Sequence, residues 1–148
     1  MRFRYLAFIA IPAVLIAFTS STARAEVADM GLEKLAAMAT HIFAGKLVKI
    51  YSVVETSAEW ETTYSVAEVQ VAALEKGTCV AKLVYLRFWR RKYRGKGEAP
   101  DGSYGYRNIP EVGSQVRAYV REMEDGGYDV ILPNGISQIS APVKDQKK

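Results

Sequence analysis

Hydrophobic and polar positions along this chain follow two periods. From Asp29 the apolar residues Leu32, Leu35, Ala36 and Ala39 recur at i, i+3, i+4 and i+7, which predicts one short helix with Asp29 as its N-cap. From Ile42 onward the period shortens. Ile42–Tyr51 and Thr63–Val71 read as two long strands joined by a polar turn around Glu59, Trp60 and Glu61. Gly45 inside the first predicts a bulge or tight bend. In the second, Tyr64 and Val66 hold one phase and Val69 and Val71 the other, so a one-residue slip near Ala67-Glu68 is expected. Ala81–Trp89 is apolar on both sides and predicts a third strand. Val116–Arg121 alternates, with Val116, Ala118 and Val120 facing in and Arg117, Tyr119 and Arg121 facing out. Asp125-Gly126-Gly127 predicts a hairpin turn into a fifth strand, Tyr128–Leu132. Pro133-Asn134-Gly135 turns again, and Ile136 and Ile139 are placed to close the core. Between the third and fourth strands, Tyr93–Gly113 is a loop rich in Gly and Pro, of a length usually functional or mobile.

Five main strands, the first three long and bent, predict an all-β domain. A small closed barrel preceded by one short helix hides the strand edges best; an open two-layer sandwich is the alternative.

Composition changes this picture at the start of the chain. Arg2 and Arg4 precede the apolar run Tyr5–Phe18, and Ala23-Arg24-Ala25 fits the small-x-small cleavage rule, which predicts a secretory signal peptide over 1–25. The run is shorter than the ~20 apolar residues a spanning helix needs, so no stable membrane span is expected after cleavage. The expected compartment is secreted or periplasmic. The domain is then 26–143, with a polar tail over 144–148. Lys and Arg total 20 against 16 Asp and Glu, a net +4. Arg2, Arg4 and Arg24 leave with the leader and no acid does, so the balance falls to +1 and a nucleic-acid partner is not expected. Cys79 is the single cysteine, so no internal disulfide forms and the fold rests on packing. Its plainer reading is a small buried apolar residue at the start of a strand.

The order of elements carries a resemblance. A short helix is followed by Ala39-Thr40-His41-Ile42-Phe43-Ala44-Gly45-Lys46-Leu47-Val48, then Tyr64-Ser65-Val66, Val71 and Leu74-Glu75-Lys76-Gly77. Gly113, Val116–Val120 and the Asp125-Gly126-Gly127-Tyr128 hairpin come last. This resembles the netrin-module and tissue-inhibitor-of-metalloproteinases type of OB-fold, and implies a five-stranded OB-like barrel over nearly the whole mature chain. Those inhibitors begin with a cysteine whose amino group and carbonyl chelate the protease zinc, and they carry several disulfides. Here the predicted mature start is Glu26-Val27-Ala28, with no cysteine before Cys79, so the resemblance implies the fold and not the inhibitory chemistry.

Candidate chemistry concentrates at the end of the third strand. Arg87, Arg90, Arg91, Lys92, Arg94 and Lys96 alternate with Phe88, Trp89 and Tyr93, and Tyr104, Tyr106 and Arg107 follow in the long loop. Guanidinium groups bind phosphate, sulfate or carboxylate through paired donors, and aromatic faces stack on rings. The candidate ligand-binding set is therefore Arg87, Trp89, Arg90, Arg91, Tyr93, Arg94, Lys96, Tyr104, Tyr106 and Arg107. An exported chain would meet an anionic glycan, a lipid headgroup or a protein partner there. The plainer reading is a solvated strand end, with Trp89 or Phe88 buried and the charges guarding an edge.

No catalytic residue or cofactor is assigned. His41 is the only histidine, which excludes a multi-histidine zinc site or a histidine-dependent triad within one chain; it reads as a structural hydrogen bonder, and no metal site is expected. Glu55, Glu59 and Glu61 read as a solvated turn. The sequence thus points to an exported, non-catalytic binding module. The alternative is a protease inhibitor or other enzyme-modulating protein that acts through its mature N-terminus.

Overall fold

The computed structural model describes residues 27–139, apart from 80 and 103. The predicted leader 1–25 and the polar tail 144–148 lie outside the described residues. Helix α1 (Leu32–Met38) precedes strands β1 (His41–Thr56), β2 (Trp60–Lys76), β3 (Leu83–Tyr93), β4 (Gln115–Glu122), β5 (Tyr128–Val130) and β6 (Ile136–Gln138). The sheet order is β1-β2-β3-β5-β4-β6, and β1 also pairs with β4. That last pairing closes a five-stranded barrel, with β6 appended to β4. All pairings are antiparallel except β3 with β5. The barrel is thus mixed, and the small closed barrel that the strand pattern predicts is the one observed.

Alternation explains the core. Phe43 and Leu47 from β1, Ala67 and Val69 from β2, Val84, Leu86 and Phe88 from β3, and Val116, Ala118 and Val120 from β4 point inward and are buried. A second cluster sits outside the barrel wall, where α1 brings Leu35 and Ala39 onto Ile42, Tyr119 and Ile131. Tyr119 is therefore buried rather than solvent-facing, because the helix covers the outer face of β4 at that point. The helix is also shorter than the pattern suggests. Gly31, not Asp29, is its N-cap, and no side chain caps it. The preceding segment is held instead by Asn134, whose Oδ1 accepts from Met30 N and whose Nδ2 donates to Met30 O.

The long strands bend where β1 and β2 lose register, between Ile42 and Phe43, Ala44 and Gly45, and Leu47 and Lys49. The slip expected in β2 near Ala67-Glu68 lies across the ladder, at Val48 of β1, which has no partner between the Leu47–Val69 and Lys49–Glu68 pairs. β2 keeps one phase through this region, with Ser65, Ala67 and Val69 inside. Small residues fill its inward positions near the mouth, and Tyr64 and Val66 stand on the outer face. Gly45 occupies a crossing where a Cβ would lie 2.1 Å from the Gln70 carbonyl oxygen, so only glycine lets the strands approach.

Strand limits differ from the sequence expectation at several places, among them β3, which runs on to Tyr93 rather than ending at Trp89. β1 and β2 run on to a tight turn, closed by Ser57 N donating to Trp60 O at 2.7 Å. β5 is shorter and β6 is additional. The 93–113 segment is not structureless: Arg90 and Gly105 form a bridge, and Tyr106 N donates to Trp89 O and Arg91 N to Tyr104 O. Gly105 has φ +83°, and a Cβ there would meet Trp89 O at 2.2 Å. The loop therefore lies down on the edge of β3 that β5 leaves after Arg87.

Candidate functional site

β3 sets out the predicted residues on two faces. Its register pairs Trp60 with Tyr93, Thr62 with Arg91, Tyr64 with Trp89 and Val66 with Arg87, so these share the outer face. Phe88, Arg90 and Lys92 occupy the other. Phe88 is buried in the core while Trp89 is half-buried, which settles which aromatic anchors the strand end.

On the outer face the aromatic residues gather. The Trp60 ring meets Tyr93 edge-on at 5.1 Å between centroids and Tyr104 at 5.6 Å. The Arg91 guanidinium lies 4.6 Å from the Trp60 centroid and 5.7 Å from that of Trp89, a cation–π arrangement that holds the planar group flat. Trp60 is the member of this cluster that the sequence reading left among turn residues. Its signal was its position opposite Tyr93 across the β2–β3 ladder, which needs the register to be known.

Along the edge of β3, beside the 99–108 segment, lies a cleft of about 500 Å³. It is lined by Arg90, Arg91, Lys92, Tyr93, Ala99, Tyr104, Tyr106, Arg107 and Asn108. Because it follows an edge, residues from both faces reach it. No carboxylate is among the described residues that line it. Six of the ten predicted positions meet here: Arg90, Arg91, Tyr93, Tyr104, Tyr106 and Arg107. Lys92, predicted as part of the basic run but not as a site residue, joins them with Asn108.

The other predicted positions are elsewhere. Arg87 donates through Nε to Asp129 at 2.6 Å and through Nη1 to Asp125 at 2.6 Å. These bonds, Asp125 first, raise its pKa further above the ordinary arginine value. In return, the Arg87 guanidinium and the Gly127 N–H hold the Asp125 carboxyl below the usual carboxylate range. Arg87 is thus engaged in a carboxylate clamp on the β5 hairpin. Arg94 bonds Glu61 at 3.1 Å, and Trp89 faces the neighbouring apolar groove. Lys96 contributes its carbonyl to Tyr93 Oη at 3.3 Å and its side chain is exposed.

Tyr106 also has a second task. Its side chain is almost fully buried, and its hydroxyl donates to Ile136 O while accepting from Ile136 N at 3.1 Å. Burial pushes its pKa well above the ordinary tyrosine value. It forms the floor of the cleft and is a structural anchor, not a mobile ligand contact. Tyr104 Oη donates to Pro100 O, and Arg107 donates to Val27 O.

A larger apolar groove, about 620 Å³, opens where β1 has left β4. Tyr51, Val53, Tyr64, Val66, Phe88, Trp89, Val130 and Leu132 line it, together with Ser52, Ser65, Arg87 and Asp129. The sequence reading did not foresee it, since it depends on where the barrel stops being closed. His41 is buried, with Nε2 bonded to Thr78 O at 3.1 Å and Nδ1 to Thr40 Oγ1 at 3.0 Å, so it is a structural hydrogen bonder. Cys79 is half-buried against the core, ahead of β3.

No protein-family model matches this chain, and neither the curated proteins nor the solved structures yield a match.

Proposed function

We infer that the chain is an exported, non-catalytic binding module that holds an anionic ligand in the cleft between β3 and the 99–108 segment. One observation carries this: four cationic side chains and three tyrosines line a single 500 Å³ concavity with no carboxylate among the described residues of its wall. Arg90 and Lys92 have no carboxylate partner among the described residues. Cations arranged this way offer a sulfated or phosphorylated group several charge-assisted donors. Arg91, whose guanidinium lies 4.6 Å from the Trp60 centroid, carries its donors on a planar group that is pre-organised for anions. Tyr93 and Tyr104 add ring surface for a sugar or headgroup. The OB-like barrel is consistent with this use, since such barrels commonly bind extended polar ligands on one face and its loops. The resemblance to netrin-type domains supports the same architecture. The Arg2–Ala25 leader pattern supports export.

The test is chromatography of the mature protein on immobilised heparin across a salt series. Retention is expected to fall steeply with salt, each contact adding ~0.7–0.9 to the log–log slope by analogy with nucleic-acid phosphates. The triple variant Arg90→Gln, Lys92→Gln, Arg107→Gln is expected to elute early with an unchanged melting temperature. Arg87→Gln, outside the cleft, is expected to elute with the wild type. Full retention of the triple variant would remove the cleft from consideration.

A further inference from the structure

β1 carries an open edge. Its pairing with β4 covers only His41–Lys46, and the last bonds on that side are Leu47 N to Ser114 O and Gly113 N to Leu47 O. From Lys49 to Thr56 the strand is paired on the β2 side alone. The direction of its polar groups follows from the turn. Ser57 N donates to Trp60 O, and hydrogen-bonded positions alternate back along an antiparallel ladder. Glu55, Val53 and Tyr51 therefore turn their backbone groups toward β2, while Val54, Ser52 and Ile50 turn theirs outward with no strand among the described residues to receive them. The same stretch exposes Val53 at 65%, Val54 at 57% and Tyr51 at 45%. It contains no proline, and at this edge an unprotected strand is a template for another.

We propose that this edge is a self-association surface, in which β1 of a second copy of the chain pairs antiparallel about a two-fold axis through Ser52. The occupant is identified by charge. With Ser52 opposite its own copy, Lys49 faces Glu55 of the second chain and Glu55 faces its Lys49, giving two opposite-charge cross-strand pairs on the outer face. Tyr51 and Val53 face one another on that face, and Ile50 and Val54 on the inner one. The outward-pointing residues Ile50, Ser52 and Val54 then form the hydrogen-bonded pairs, as the geometry of each chain requires. A symmetric contact of this kind must be self-complementary, and this register meets that condition in charge, hydrophobicity and hydrogen bonding at once. The pairing ends where Leu47 takes up Gly113 and Ser114. It joins the two apolar groove faces into one continuous sheet surface and leaves the basic clefts, on the far side of β3, open.

Sedimentation velocity of the mature protein over a wide concentration range tests this. A monomer–dimer equilibrium is expected. Val54→Pro, which removes an outward N–H that bonds nothing among the described residues and an exposed side chain, is expected to give a monomer with an unchanged melting temperature. The register is read independently. Glu55→Lys reverses both charge pairs and is expected to weaken the dimer roughly tenfold, and adding Lys49→Glu is expected to restore it. Thermal melting is followed in each variant, because Lys49 also lies opposite Glu68 within the chain. A wild type that stays monomeric throughout, or a dimer indifferent to Glu55→Lys, overturns the proposal.

Discussion

The two halves of the β1–β2 hairpin are made of the same strands and behave oppositely. Between His41 and Leu47, β1 is held by β2 on one side and by β4 with Ser114 on the other, its inward side chains Phe43 and Leu47 are buried, and glycine marks a backbone crossing too close for any Cβ. Beyond the Val48 bulge, β1 leaves β4, and the exposed side chains include Tyr51, Val53, Val54 and Tyr64. The closed half resembles a core in which every position is dictated by packing. In the open half, side chains are free of that constraint and gather by chemistry instead: aromatic residues around Trp60 and cations along the edge of β3. Close packing is thus concentrated at one end, and exposed aromatic and cationic side chains at the other.

That contrast is most sharply tested by Gly45→Ala. The added methyl would lie 2.1 Å from the Gln70 carbonyl oxygen, a backbone atom that cannot swing aside. A loss of at least about 3 kcal/mol is expected in denaturant unfolding. Leu47→Ala, at a fully buried position of β1, is expected to cost about 2–5 kcal/mol. Tyr106→Phe leaves both polar groups of Ile136 unpaired in the interior and is expected to cost about 1–3 kcal/mol. In the open half, Val53→Thr keeps the β-branched shape at an exposed site and is expected to change stability by no more than about 0.5 kcal/mol. If Val53→Thr proved as costly as Leu47→Ala, the division between halves would fall.

The smallest effect concerns the Arg87 clamp. Asp125 has its pKa lowered chiefly by its bond to Arg87. The sign follows: any stability this gives is present above the ordinary aspartate value of ~3.9 and is lost as pH falls through the lower folded-state value. Carboxyl titration by NMR is expected to place the Asp125 midpoint below that of an ordinary aspartate. Arg87→Gln is expected to bring it back up. Because both side chains are well exposed, with 40% and 61% of their surfaces accessible, solvent screens the pair and the change in unfolding free energy should be slight.

Much of the architecture was legible in the chain. Period-2 alternation in Val116–Arg121 and the apolar run Leu83–Phe88 placed β4 and β3, and Gly45 marked the bend. What failed did so where tertiary context overrides local pattern. Tyr119 sits at an outward position, and only the docking of α1 buries it. Ser65 and Ala67 are too small to announce an inward phase, so the bulge was assigned to the wrong strand. The basic-aromatic cluster was visible as composition, but its division between cleft, clamp and core was not. Arg87 and Asp129 meet only through the β3–β5 pairing, and Arg94 and Glu61 only through the β2–β3 hairpin. Tyr106 read as a loop aromatic because nothing local shows that its hydroxyl reaches Ile136.

The central claim, that the open end holds an anion between β3 and the 99–108 segment, is met most directly by an NMR titration of the mature protein with a sulfated heparin oligosaccharide. Backbone amide shifts are expected to move, saturably and less at high salt, at Arg90–Tyr93 and Tyr104–Asn108, with Phe43, Leu47 and Val116 unmoved. Shifts centred on any other surface, or none at low salt, would contradict it.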